Sequence, residues 1–221
     1  MDFTRQLGIL HPAKVVKRKV TLIGAGAIGS FAALALTKLG VENLTVYDND
    51  MVEEHNLPNQ FYRVKDEGSS KVSSLAAIVN EFNGVAATPI NGLYTKQKLD
   101  EFVVVATDSM ISRKKVFEQF CKQKGARYLI EARMGGELGY VYCVDKQNKD
   151  QMKAYKGTLY TDKEAAMTPC TEKAIIYNVL MISSLICRAF KALVNEEKSY
   201  PFENIFDMRN MMFYSQPAQI K

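Results

Sequence analysis

The sequence predicts an α/β fold with a mainly parallel sheet covered by helices on both faces. Two observations predict it: short β-branched runs alternate with longer amphipathic segments over the first two thirds of the chain, and a glycine-rich loop joins the first run to the first amphipathic segment. The runs at 20–23, 44–47, 87–90, 103–106 and 128–130 are brief, apolar and bounded by Gly, Asn or Asp, as buried strands are. Between them, 28–39, 71–82 and 109–123 place apolar residues at three- and four-residue spacing and read as helices, with Gly40 and Gly125 as stops. The last third changes character. A strand over 137–144 precedes a polar loop from Asp145 to about Pro169, then a long apolar helix over 174–194 buried against the sheet. Two short runs, 204–207 and 211–215, flank Arg209-Asn210 as a hairpin would.

Size and composition set bounds. With 221 residues and 47% hydrophobic residues, the chain suits one domain spanning 1–221 with a sizeable core. The 29 basic and 24 acidic residues are scattered and leave +5, so neither a nucleic-acid patch nor a membrane patch is expected. No apolar run is read as a membrane span, and the start Met1-Asp2-Phe3-Thr4-Arg5 lacks the build of a signal peptide. Cys121, Cys143, Cys170 and Cys187 form no CxxC pair, which argues against a disulfide framework or a four-cysteine zinc site and for a reducing cytoplasm. His11 and His55 stand without ligand partners at metal spacing.

The loop Gly24-Ala25-Gly26-Ala27-Ile28-Gly29 follows a strand and opens a helix. Gly24 permits the turn, Gly26 lets backbone amides approach phosphate, and Gly29 allows close packing of the helix. The amides at the helix start, with the dipole behind them, favour an anion. Asp48 ends the second strand, where a carboxylate can hold ribose hydroxyls. This fingerprint alone leaves a dinucleotide and ATP open. Asp50 is superfluous for NAD but fits a magnesium–polyphosphate complex, because hard cations prefer carboxylate oxygens. Cys170, in Thr168-Pro169-Cys170-Thr171, precedes the apolar helix, where a thiolate could be stabilised and act as a nucleophile.

Further segments follow in order: Arg5-Gln6, Asp48-Asn49-Asp50, Asn56-Leu57-Pro58-Asn59-Gln60, Gly68-Ser69-Ser70-Lys71, Ala106-Thr107-Asp108-Ser109 with Arg113, and Pro169-Cys170-Thr171. In this order the sequence resembles the ThiF/MoeB superfamily, the adenylating enzymes that activate ubiquitin-like and sulfur-carrier proteins. The resemblance implies a Rossmann-like ATP-binding domain that attaches AMP to the C-terminal carboxylate of a small β-grasp protein, using ATP and magnesium. It implies that Asp48 binds ribose, Lys71 contacts the phosphates, Asp108 places magnesium, and Ala27, Asn56, Asn59 and Ser109 join the nucleotide site. It also implies a homodimer in which Arg5 reaches the partner's site, and a cysteine loop at Cys170 that can take the activated protein. The chain departs from the family in two ways: Asn59 stands where an Arg usually precedes the Gln, with Arg63 nearby, and the zinc-binding cysteine pairs are absent. Two rival readings are an NAD-dependent oxidoreductase, which leaves Asp50, Lys71, Asp108 and Cys170 without roles, and a non-catalytic partner subunit.

Overall fold

The computed structural model describes residues 1–160 and 174–218. The chain runs β1 (Lys19–Ile23), α1 (Ala27–Lys38), β2 (Asn43–Asp48), α2 (Lys71–Asn83), β3 (Thr88–Asn91), β4 (Phe102–Val105), α3 (Met110–Lys122) and β5 (Tyr128–Gly135). Then come β6 (Leu138–Asp145), α4 (Lys149–Gly157), α5 (Ile176–Val194), β7 (Glu203–Asp207) and β8 (Met212–Gln216). The strands form one eight-stranded sheet in the order β3-β2-β1-β4-β5-β6-β7-β8. Pairing is parallel from β3 to β5 and antiparallel from β5 to β8.

The inner parallel strands β1 and β4 read as apolar runs because helices cover both their faces, whereas β3 at the sheet edge is largely exposed. All of Phe102–Val105 is buried in β4. Ile28, Ala32 and Leu36, four residues apart on α1, join α2 and α5 residues such as Leu75, Ile78, Ile182 and Ile186 in the core on one face. Val116, Phe117 and Phe120 of α3 pack with Tyr142 and with Tyr155 of α4 on the other. Gly40, at φ 110°, follows the end of α1.

Several sequence expectations need correction. The segment after Asp145 is not all loop: α4 occupies Lys149–Gly157, N-capped by Asn148, whose side chain accepts from the amides of Asp150 and Gln151. Its polar composition hides the one deeply buried anchor, Tyr155. Strand β5 runs on to Gly135, past the charged Glu131 and Arg133 that interrupt the apolar pattern. Helix α3 ends at Lys122 within a residue of the expected bound, but Gln123 rather than Gly125 forms its C-cap, and the Gln123 side chain accepts from the Leu99 amide at 2.7 Å. Helix α5 begins at Ile176 rather than Ala174. By length and mean hydropathy, 1.4, Ile176–Val194 could cross a membrane. It packs instead on α1, β5 and β6 as a core helix.

Candidate functional site

Strand β1 delivers the chain into Gly24 at φ 98°, and a Cβ there would stand 2.6 Å from the Ala106 carbonyl oxygen at the end of β4. A Cβ on Gly29 would lie 1.9 Å from the Gly24 carbonyl oxygen, so the loop can close on α1 only without one. Gly26 is different. Nothing lies within 4 Å of a Cβ built on it, which leaves open space where a phosphate would approach. Gly26 caps α1 through its backbone alone, so the free amides of the first turn, beginning with Ala27, face outward as anion donors.

Asp48 at the tip of β2 closes this loop. One of its oxygens accepts from the Ala25 amide at 2.6 Å, and the other from the Asp50 amide at 2.8 Å. Lone pairs on both oxygens remain for ribose hydroxyls. On the loop's other side the Tyr62 hydroxyl donates to the Ala25 carbonyl at 2.6 Å, and the Phe61 amide donates to Ser30 Oγ at 2.9 Å. Burial, then the nearby carboxylates of Asp48, Asp66 and Asp50, push the Tyr62 phenol far above its ordinary value and keep it a donor.

Lys71 opens α2 and is only 6% exposed. A buried cation at the positive end of a helix dipole is doubly disfavoured unless a carboxylate faces it. Asp50 supplies one, with Oδ2 2.9 Å from Lys71 Nζ, and its carbonyl also accepts from the Lys71 amide at 3.0 Å. Across the loop, β4 is followed by Thr107 and the exposed Asp108, and Ser109 N-caps α3 by accepting from the Ser112 amide at 3.4 Å. The carboxyl ends of β2, β1 and β4 lie side by side, where the chain turns from one half of the parallel sheet to the other. A crevice at such a switch point is where α/β folds hold ligands.

Asn56 is buried, and its side-chain oxygen accepts from the Glu53 amide at 3.0 Å, shaping the turn that leads to the half-buried Asn59. Arg63, the nearby arginine, is engaged by carboxylates of its own. It is tied to Asp66, at 2.9 Å, and to Glu81. Arg5 is exposed, and neighbouring Gln6 bonds the Leu39 carbonyl at 3.1 Å, at the end of α1 away from the glycine loop. Cys170 lies outside the described residues. Cys143 is buried, and desolvation pushes its thiol up to about 12, so it is a poor second nucleophile. Cys187 is pushed up to about 12 for the same reason, whereas Cys121 is exposed on α3.

The donors present suit ATP with magnesium. Thr107 Oγ1, just past β4, and Ser70 Oγ, at the N-cap of α2, are buried without hydrogen-bond partners. Among the described residues no cluster of three or more His, Cys, Asp or Glu could hold a metal alone. Magnesium commonly takes one or two carboxylates and completes its shell with phosphate oxygens and water, and Asp108 and Asp50 offer such carboxylates. Residues the sequence reading missed are Tyr62 and Ser30, which pin the loop, and Glu131 and Arg133 behind it. The signal for the last two was charge at alternate positions inside an apolar strand, which puts both on one face.

A model of the ThiF family matches residues 4–220, and the chain belongs to that family. It is 32% identical over 108 residues to the SAMP-activating enzyme E1 of Haloferax volcanii, covering 48% of this chain and 40% of that protein. It is 40% identical over 79 residues to the adenylyltransferase and sulfurtransferase uba4 of Aspergillus niger, covering 35% of this chain and 16% of that one. The chain therefore spans well under half of these curated relatives. In fold it is similar to E. coli MccB crystallised with AMPCPP and MccA, at TM-score 0.75 and 14% identity over 95% of this chain and 66% of that one. E. coli MccB with ATP gives TM-score 0.72 at 16% identity, with the same coverage.

Proposed function

We propose that the chain is an adenylyltransferase that uses ATP to activate the C-terminal carboxylate of a ubiquitin-like or sulfur-carrier protein. One observation carries this reading: the glycine loop and Asp48, which any Rossmann-like site could have, are joined by the buried Lys71 held on Asp50, a polyphosphate clamp that a dinucleotide does not need. Family membership and the names of the relatives support the same activity.

The chemistry follows from charge. A carboxylate oxygen of the carrier attacks the α-phosphorus, the bond to the β-phosphate bridging oxygen breaks, and pyrophosphate leaves with the electron pair. The loop amides from Ala27 onward orient the phosphates, and Asp48 orients the ribose. Lys71, released from Asp50 toward the phosphates, offsets the charge gathering on pyrophosphate. Magnesium held by Asp108 would supply further charge neutralisation on the phosphate oxygens. Positioning two anions against each other carries most of the rate.

Arg5 is proposed to serve the site of a second chain. Helix α1 separates it from its own glycine loop by roughly 18 Å, taking 1.5 Å per residue, which favours an action across a homodimer. Cys170 is proposed as the acceptor of the activated carrier where transfer follows adenylation.

ATP–pyrophosphate exchange, measured with candidate C-terminal-glycine proteins, tests the reading. Exchange is expected in the wild type and is expected to fall by about a hundredfold or more in Asp108→Ala. Mixed Arg5→Ala and Lys71→Ala chains are expected to recover part of it. Cys170→Ala should keep exchange and lose only a covalent adduct. Wild-type exchange in Asp108→Ala would reject the site assignment. ATP binding without exchange for any carrier would instead favour a non-catalytic subunit.

A further inference from the structure

Behind the site, three charged side chains meet in the core. Glu131 on β5 is fully buried. Arg133, two residues on and so on the same face, donates from Nε to Glu131 Oε2 at 2.8 Å. Arg113 of α3 brings Nε to 2.9 Å from Glu131 Oε1, a contact of charges without an aligned hydrogen bond. The same arginine donates from Nη2 to the Thr107 carbonyl at 2.6 Å. Arg133 donates onward to the carbonyl and hydroxyl of Thr158, at 3.0 and 2.9 Å, just past α4, with its guanidinium 4.7 Å from the Tyr142 ring centre. Burial works against the charge on Arg133, and Glu131 more than restores it, so its pKa stands above the ordinary value.

Such a triad is not explained by stability. Packed apolar groups in its place are commonly neutral or stabilising, whereas removal of one member leaves a buried charge exposed to desolvation. Its geometry does have a consequence: the Thr107 carbonyl that Arg113 holds directly precedes the exposed Asp108, on the short turn between β4 and the Ser109 cap of α3.

We propose that Glu131 is a positioning residue for Asp108. It fixes the Arg113 guanidinium, which grips the Thr107 carbonyl and so sets where the Asp108 carboxylate stands relative to the phosphates. Arg133 and Thr158 brace Glu131 from the other side, so the end of α4 and the end of β4 share one buried charge. This inference rests on the adenylation reading for its activity readout but not for its structural one. Outer-shell partners of metal-binding carboxylates act in this way, orienting a ligand they do not replace.

The test compares Glu131→Gln and Arg113→Lys with wild type. Each is expected to raise the magnesium concentration for half-maximal exchange by about tenfold, with the KM for ATP changed by less than about twofold because Asp48 and the glycine loop are intact. Ile186→Ala, on the opposite face, controls for lost stability and should keep the wild-type magnesium response. The second readout is the Thr107 carbonyl carbon resonance by NMR without nucleotide, expected to move in both variants and to stay in Ile186→Ala. If Glu131→Gln does not fold, Arg113→Lys carries both measurements. A wild-type magnesium curve or an unmoved Thr107 resonance in Arg113→Lys overturns the proposal. If the wild type shows no exchange at all, the adenylation reading fails and the Thr107 resonance alone decides the positioning role.

Discussion

The two halves of the sheet obey different rules. From β3 to β5 the strands are parallel, and β1 and β4 are almost wholly buried between helices. From β6 to β8 they are antiparallel, and burial fades outward: β7 alternates buried and half-buried residues, and β8 is exposed along most of its length. Met211, Phe213 and Tyr214 keep half or more of their surface in solvent. A parallel strand needs a crossover and so brings its own covering helix, whereas a hairpin can close with one face or both uncovered. The crossovers also put every strand end of the parallel half at one edge, and that edge holds the candidate site. Its braces, Glu131 and Arg133, stand on β5, the last parallel strand, where the two halves join.

The largest effect that would break this comparison is expected at Gly29. Gly29→Val would force atoms against the Gly24 carbonyl, where a Cβ already comes to 1.9 Å. A loss of about 4 kcal/mol or more, or failure to fold, is expected by denaturant titration, because backbone cannot yield as a side chain can. A folded Gly29→Val protein with unchanged ATP affinity would show that the loop does not set the site.

A medium effect separates neighbours in the hairpin. Phe206 and Phe213 are register partners on β7 and β8, yet Phe206 is 1% exposed and Phe213 52%. Phe206→Ala should cost about 3–5 kcal/mol, as buried Phe truncations do, and Phe213→Ala should stay within about 0.5 kcal/mol. Equal losses would mean that β8 is covered in solution, which analytical ultracentrifugation of the same samples would reveal as self-association.

The smallest effect is in acid. Burial works to raise the Asp66 carboxyl, but hydrogen bonds from the Arg63 side chain and backbone outweigh it, and its pKa falls below the ordinary 3.8. A depressed folded pKa gives stability that is complete above the unfolded value and is lost as pH falls through the folded one. Asp66→Asn should therefore flatten the stability curve below about pH 4. Asp207, held down by Asn210 on the open hairpin, should give a smaller change on the same substitution, because water already solvates it. The reverse order in acid titrations followed by circular dichroism would contradict the contrast between the halves.

Much of this could be read from the chain before any coordinates. Strand and helix type, the hairpin and the roles open to Gly24, Gly26 and Gly29 depend on φ angles and on side-chain spacing within a turn or two, which are local properties. The polar stretches were harder. Helix α4 hides because a single buried Tyr155 among lysines and acids gives little periodicity, and its start is set by the Asn148 cap. Strand β5 outruns its apolar run because Glu131 and Arg133 are buried as a pair, marked in the sequence only by their alternate spacing.

The site divides along the same line. Which residue types stand at the strand ends is a matter of sequence, and so is family membership through Asp48, Lys71 and Asp108. What each carboxylate holds is not. Asp48 takes the Ala25 amide, Asp50 takes Lys71, and Glu131 takes two arginines from different elements. Ala25 and Asp48 lie 23 residues apart and Asp50 and Lys71 21, and Arg113 reaches Glu131 from a different element. They meet because β1 lies between β2 and β4, with β5 beside β4, a strand order that no local pattern encodes. A buried charge has few acceptable partners, and the packed sheet determines which of them is within reach.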